Sequence, residues 1–480
     1  MAGGEVSPSP EREPSFAHGA RVLSIGIAST GVFTFAYLAT ASHLLGPADY
    51  SRISVCWAIM FVILSVIYRP IEQLLSRTIA DRTARGMHGH ILRTPAVLQT
   101  AFSLVFLAVA QALRGPIQNE LFGGSAALYW ILVVGVLAYA GSYFARGWLA
   151  GHKRFALYGA LVFLESTSRF VVALAVALGV GAGLAAVGLG MAVAPFVSLL
   201  VIPFAFVKVG PRLPPAAEVR DTRAVEAADA GGEGPVHAQL EETATDLSLR
   251  HGAAFAIAVV AIMFSEQTLM NAGVLVVAAG AGFTITSGLA GFVFNVLLIV
   301  RAPLQLFQAV QTSILPHLTG LEARRSSAEF RRAVRVTVQA IAVFASVVTV
   351  GLVTVGPFVM TALLGDKGFD YNRWGLALVG IGMGLHLVSG TLNQALLARG
   401  QAKLAAWAWL VAAAAFVVFV ASTTTSDQTA QVTRVEVGYC GAAGLLALLL
   451  WLLYRRRSRA PAPALAPPSA REPAASTIAR

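Results

Sequence analysis

Apolar residues in this chain come in long unbroken runs separated by polar breaks, the pattern of helices that cross a bilayer. Twelve runs follow one another, at 22–45, 53–76, 96–113, 126–145, 156–179, 184–207, 252–278, 283–312, 337–363, 374–397, 404–422 and 436–454. Each reaches at least the ~17 residues that a helix needs to span the hydrocarbon core. Backbone groups in lipid must bond within their own segment, and no alternating strand pattern of about ten residues is present. The runs therefore predict helices and not a barrel.

Between the sixth and seventh runs lies a polar stretch, 208–251, with Pro211, Pro214, Pro215, Gly231, Gly232 and eight acids. It reads as a linker. The chain thus divides into a flexible tail (1–21), a first half of six helices (22–207), the linker, a second half of six helices (252–454) and a basic Pro/Ala-rich tail (455–480). The first twenty residues, with Arg12 as their one cation, lack the features of a secretory signal.

Composition narrows the class. Over 480 residues, 56% of side chains are hydrophobic and 12% charged, with a mean hydropathy of +0.71. Soluble domains carry about twice that share of charge. A soluble enzyme, a nucleic-acid-binding module and a disordered scaffold are excluded despite a net charge of +11. Both cysteines, Cys56 and Cys440, fall inside apolar runs and read as packing residues.

The charge reports orientation. With the N-terminus inside, the inner segments hold 27 of the 35 Lys and Arg. Five (Arg52, Arg114, Lys367, Arg373 and Arg434) fall in outer loops, and three (Arg69, Arg169 and Arg301) remain in the membrane. The positive-inside rule then predicts both termini in the cytoplasm.

The two halves resemble each other. Arg69-Pro70-Ile71-Glu72-Gln73-Leu74 and Arg301-Ala302-Pro303-Leu304-Gln305-Leu306 share an Arg, a Gln four residues on and a Leu after it. Tyr50 meets Phe283 just before the second and eighth helices, and the fourth and tenth helices end alike, in Leu149-Ala150-Gly151-His152-Lys153 and Ala398-Arg399-Gly400-Gln401-Ala402-Lys403. Duplicated halves are the architecture of secondary transporters, with the site at their interface. The predicted fold is an all-α polytopic membrane protein whose 12 transmembrane helices form two pseudo-symmetric six-helix lobes around a central cavity. The stretch from Ile53 to Ala80 would rise about 42 Å against a core of about 30 Å. Pro70 and Pro303 are the candidate kinks that absorb such excess.

Six ionisable groups fall inside predicted spans: Arg69, Glu72, Glu165, Arg169, Glu266 and Arg301. Each would cost about 2.5–3.5 kcal/mol at a helix centre, so each should face a cavity or a partner. Glu72 is three residues from Arg69 and Glu165 four from Arg169, spacings that suit local ion pairs as well as a cavity wall. Arg301 heads a polar stripe with Gln305, Gln308 and Thr312. Glu266 and Asn271 interrupt the seventh helix, where Glu266 is placed to pair with Arg301 or to carry a proton. His386 is a weaker relay candidate, and Thr30, Thr34 and Tyr37 line the cavity or bond helix to helix. The candidate substrate-binding set is Arg69, Gln73, Arg169, Arg301, Gln305 and Gln308, with Glu72, Glu165, Glu266 and Asn271 for coupling or charge balance. Guanidinium forks suit phosphate oxygens, and amides suit sugars.

No GxxxxGK[ST], HExxH or paired Cys/His set occurs, so no nucleotide, metal or other cofactor is implied. The outer loops are too short for an external catalytic domain, which argues against an enzyme.

Several stretches resemble one family. Leu44-Leu45-Gly46-Pro47-Ala48-Asp49-Tyr50 is similar to the connection between that family's first two helices. Ile314-Leu315-Pro316-His317-Leu318, followed by Ala328-Glu329-Phe330, is similar to the loop after its eighth. Leu363-Leu364-Gly365 ahead of Phe369, and Ala395-Leu396-Leu397-Ala398-Arg399-Gly400, resemble its later landmarks. The family is the polysaccharide-transporter (Wzx-type) branch of the multidrug/oligosaccharidyl-lipid/polysaccharide (MOP) exporter superfamily. The resemblance implies two lobes that open alternately inward and outward, moving an undecaprenyl-pyrophosphate-linked oligosaccharide to the external leaflet. It implies cavity cations that engage the pyrophosphate, where Arg69 and Arg301 fall. Implied partners are the lipid-linked oligosaccharide, membrane lipids, and glycan polymerase or glycosyltransferase proteins, but no nucleic acid. Three glutamates offset the cavity's positive charge and depart from that pattern. The rival readings are a cation-coupled drug antiporter of the same fold, a major-facilitator transporter, and a membrane scaffold for glycan assembly.

Overall fold

The computed structural model describes residues 14–84, 92–206, 235–280, 287–301, 303–304, 307, 318, 327–422 and 427–458. Among them every regular element is a helix. The first half contains α1 (Pro14–Leu44), α2 (Pro47–Ile63), α3 (Arg69–Ala84), α4 (Arg93–Ala112), α5 (Ala126–Gly151), α6 (Phe155–Ala177), α7 (Gly183–Ser198) and α8 (Ile202–Phe206). The second contains α9 (Pro235–Gly280), α10 (Leu289–Arg301), α11 (Ser327–Thr354), α12 (Gly356–Leu364), α13 (Arg373–Ala398), α14 (Ala402–Ala421) and α15 (Gln428–Ser458).

Among the described residues, ten helices are long and apolar enough to cross a membrane, and α10 is a shorter apolar helix. The pairs α2–α3 and α7–α8 each make one span, and with α10 and α1 the ten reach the twelve that the runs predict. Phe283, Gln305, Gln308, Thr312, the Ile314–His317 motif and most of the linker and tails lie outside the described residues.

The two halves are built alike. In the first, α1 packs along α6, α5 and α6 along α7, and α4 on α5. In the second, α9 packs along α14, α13 and α14 along α15, and α11 on α13. These are the same neighbour relations displaced by six spans. The helix ends match too. After α5, Arg154 N–H donates to Leu149 at 2.8 Å and Lys153 N–H to Ala150 at 3.0 Å. After α13, Gln401 N–H donates to Leu396 and Gly400 N–H to Leu397, both at 2.9 Å. Both are Schellman caps with a left-handed residue at the turn, Lys153 (φ 57°) in one half and Gly400 (φ 69°) in the other. The structural register thus sets Lys153 opposite Gly400.

Two local features aim the second span. Between α2 and α3 the helix opens into a π turn, Leu64–Tyr68, and the Arg69 N–H bonds to the Leu64 carbonyl five residues back. Pro70 follows immediately and has no N–H to give, so the wider turn sits beside the missing donor. Further on, α3 runs backbone to backbone with α5. A Cβ on Gly147 would lie 2.7 Å from the Glu72 carbonyl oxygen, so only glycine admits this approach.

The lobes meet where α2 packs on α9 and α1 on α12. At the end away from the chain termini their connections interlock. Lys367 Nζ donates to the carbonyls of Ser42 and, at 3.3 Å, Leu45, which end α1. Ser42 Oγ donates to the Leu364 carbonyl, and the Gly291 N–H donates to Ser51 Oγ at 2.9 Å. Lys367 lies in the connection between α12 and α13, as expected, but is only 9% exposed. It caps a helix C-terminus, where a cation is favoured. Asp49, beside this seam, pairs with Arg52 at 2.7 Å.

Candidate functional site

Between the lobes lies a cavity of about 680 Å³. Its walls include the first turns of α3, the middle of α9 where that helix enters its spanning part (Ile257–Gly280), and the last turns of α13, so it occupies the half of the bundle nearer the termini. The interlocked connections close the opposite end.

The wall from the first half is a connected polar network. Glu165 on α6 is buried at its centre. It accepts from Ser142 at 3.1 Å, pairs with Arg146, and holds Arg169 at 3.4 Å. Arg169 is 2% exposed. It donates to Tyr139 Oη at 2.6 Å and Thr34 Oγ1 at 3.4 Å, and stands 4.9 Å from the centre of the Trp57 ring. Arg146 stands 4.5 Å from the Tyr143 ring centre. Tyr158 Oη donates to Glu72 at 2.7 Å. Buried charges survive only when paired and hydrogen-bonded, and these are.

Arg69 is different. It is half-buried on the cavity wall and has no hydrogen-bond partner among the described residues. Of the carboxylates around it, Glu266 on α9 acts on it most strongly, ahead of Glu72. On the other wall Arg301 donates to Asn271 Oδ1 at 2.7 Å and to the Met270 carbonyl at 3.0 Å, with its guanidinium 4.6 Å from the Phe294 ring centre. Asn271 in turn donates to Gln267 Oε1 at 3.2 Å. Lower on this wall His386 Nδ1 meets Tyr439 Oη at 3.0 Å, and Trp409 Nε1 donates to Asn393 Oδ1 at 3.2 Å.

One cavity therefore gathers Arg69, Glu72, Gln73, Glu165, Arg169, Glu266 and Arg301 from the expected set. Asn271 stands behind the wall and orients Arg301. Gln305 and Gln308 lie outside the described residues, and Pro70 and Pro303 are not among the lining residues. Three expectations are corrected. Glu266 interacts with Arg69 and not with Arg301, whose contacts are Asn271 and a carbonyl. Glu72 accepts from Tyr158 rather than forming a simple pair with Arg69. Arg146, expected in a loop after a helix ending at 145, lies inside α5, which runs to Gly151. The apolar residues Trp148, Leu149 and Ala150 carried that signal. Of the first-helix stripe, Thr30 and Thr34 line the cavity, whereas Tyr37 bonds the Val187 carbonyl at 3.1 Å and joins two helices.

The lining thus carries four arginines against three glutamates. Glu165 is engaged by two of the arginines and Glu72 by a tyrosine. That leaves Arg69, Arg301 and Glu266, a net positive charge where the halves face each other. Such a site suits an anion with several acceptor oxygens.

No family model and no curated protein matches this chain. Solved structures do. The chain is similar to an inward-facing multidrug resistance MATE family transporter of the MOP superfamily, at 13% identity and a TM-score of 0.63, over 92% of this chain and 98% of that one. It is similar to an outward-facing MATE transporter of the same superfamily at 15% identity and a TM-score of 0.58, over 92% and 95%. A MOP superfamily transporter from Pyrococcus furiosus, described as having a binding pocket of reverse polarity, matches at 14% identity and a TM-score of 0.61, again over 92% and 95%. The chain has the fold of MOP-superfamily transporters.

Proposed function

We propose that this protein is a flippase that moves a polyprenyl-pyrophosphate-linked oligosaccharide across the bacterial cytoplasmic membrane by alternating access. The observation that carries this reading is Arg69, a cavity guanidinium with no hydrogen-bond partner among the described residues, matched by Arg301 in the other half. A pyrophosphate offers the paired oxygens that guanidinium forks bind, and one that touches both arginines bridges the lobes. In this reading the termini are cytoplasmic, so the cavity faces inward and the interlocked end is the outer gate. Substrate enters from the inner leaflet with its lipid tail between the lobes, and the bridging anion draws the inner ends together. Closure there strains the outer seam, which opens and releases the head group outside.

Glu72, Glu165 and Glu266 in the same cavity favour a second reading, a cation-coupled drug antiporter, as does the multidrug function of the MATE neighbours. Depletion of the protein followed by lipid analysis separates the two. A flippase leaves an inward-facing lipid-linked oligosaccharide to accumulate. An unchanged lipid pool with altered drug tolerance overturns the proposal in favour of the antiporter.

A further inference from the structure

The cavity wall contributed by α13 carries no charge, yet it is polar and incompletely bonded. His386, Gly390, Asn393, Gln394 and Leu397 line it at helical spacing. His386 is 1% exposed, its Nδ1 is held by Tyr439, and its Nε2 is buried with no partner among the described residues. Gln394 Oε1 is likewise buried and, among the described residues, unpartnered. Asn393 Oδ1 is occupied by the Trp409 indole N–H, which leaves the Asn393 amino group as a donor. Buried polar atoms without partners are rare in folded proteins, because each carries the desolvation cost of a lost hydrogen bond. Two of them on one helix face, both in residues that line a cavity, point to a ligand.

Their chemistry specifies its class. Gln394 Oε1 accepts only. The Asn393 amino group donates only. His386 Nε2 takes the role opposite to Nδ1, so it donates when Tyr439 donates to the ring and accepts when Tyr439 accepts from it. A hydroxyl both donates and accepts, and so matches all three. An anion cannot satisfy Gln394, and an ammonium cannot satisfy Asn393. Trp409 packs edge-on against His386 at 5.4 Å between ring centres and fixes this arrangement from behind. Gly390 lies one helical turn from His386 and contributes no side chain to the wall.

We infer that this face of α13 is a neutral sugar subsite, with His386 and Gln394 binding hydroxyls of the substrate's first sugar while Arg69 and Arg301 take the diphosphate. The inference rests on the flippase reading, and the cavity would then be divided into a cationic part and a polyol part.

The test is equilibrium binding to the full-length protein in lipid nanodiscs. The probes are undecaprenyl pyrophosphate without sugar, and the same carrier bearing one N-acetylglucosamine or one galactose. The wild type should bind at least one glycosylated carrier more tightly than the bare one. Gln394→Leu and His386→Leu, made separately, should each weaken that glycosylated carrier about tenfold, the worth of one buried hydrogen bond, and leave the bare carrier unchanged. Because Gln394→Leu removes an orphaned acceptor and keeps the shape, its melting temperature should not fall, which separates a binding role from a structural one. Arg69→Ala should weaken both carriers equally. If the wild type binds bare and glycosylated carriers alike, or if both leucine variants bind the glycosylated carriers normally, the sugar subsite is overturned and the diphosphate reading stands. If the wild type binds neither carrier, the flippase reading itself fails. Loss of transport in His386→Leu with unchanged binding would assign His386 to proton movement and overturn the subsite as well.

Discussion

Tyr50 donates a 2.5 Å hydrogen bond to the side-chain carbonyl of Asn295, joining the second span to the eighth across the interface of the two lobes. Asn295 passes the link on, donating to Tyr371 Oη at 3.2 Å, and Tyr371 donates to the Gly365 carbonyl at 2.9 Å. All three side chains are buried at the end that the interlocked connections close. Tyr50→Phe removes the bridging donor and leaves Asn295 with an unpaired acceptor, at a cost of about 1–3 kcal/mol to the closed seam. We expect the population with this end open to rise by about 5- to 160-fold. Electron-spin distance measurements between labels at Leu44→Cys and Asp370→Cys, with both native cysteines replaced by alanine, read that opening. An unchanged distance distribution in Tyr50→Phe would show that the bond does not hold the gate.

Lys367 makes the same seam sensitive to alkaline pH. Burial pushes its ammonium below the usual lysine value, while Asp366 pulls in the other direction. When the seam opens, the ammonium returns to water and to a value near 10.4. The open form then holds the proton more tightly, so protonation favours opening, and closure gains as pH rises from the lowered value through about 10.4. The same pair of labels, followed from neutral pH to about 11, should report increasing closure. Lys367→Met should abolish the dependence, and a slope that persists in this variant would place the titrating group elsewhere.

The span count was legible because lipid demands continuous apolar surface wherever a helix crosses it. The cavity charges were legible for the complementary reason. Arg69, Glu165 and Arg301 interrupt apolar runs at a cost that only a cavity or partner offsets. Arg146 was not, because an arginine at the end of an apolar run looks the same as an inner-loop anchor until its partner Glu165, 19 residues on, is placed beside it. Lys367 was read as topological charge for a similar reason. The carbonyl that buries it belongs to Ser42, 325 residues away. The matched caps were half visible. The two helix ends look alike, but their register follows backbone geometry, which aligns a lysine with a glycine.

That alignment makes Lys153 a site for stabilisation. A non-glycine residue in the left-handed region costs about 1–2 kcal/mol, and glycine loses about 0.5–1 kcal/mol more backbone entropy on folding. Lys153→Gly, copying the Gly400 cap, should therefore be neutral or stabilising by up to about 1 kcal/mol. Gly400→Ala should destabilise by a similar amount. Thermal melting of the detergent-solubilised protein measures both, and a clear loss of stability in Lys153→Gly would mean that the lysine side chain holds something the cap geometry does not.

The arginines of the cavity should separate into two kinds when replaced. Arg169 and Arg146 share the buried carboxylate of Glu165, and removing one member of a buried ion pair typically costs about 3–5 kcal/mol. Glu165→Ala strands two guanidiniums at once and should be the most damaging change in the first half, with Arg169→Ala close behind. Both should lower the melting temperature and the yield of folded protein, and their loss of transport should follow from that. Arg69 has no such network among the described residues. Arg69→Ala breaks no described hydrogen bond and removes only the charge facing Glu266, so it should cost clearly less than either of those changes. We nevertheless expect its transport to fall to background. Melting curves and export measured on the same preparations distinguish the two kinds. If Arg69→Ala transported at the wild-type rate, the cavity would have to hold its substrate without the lining guanidinium that has no hydrogen bond among the described residues, and the anion-binding assignment would not survive.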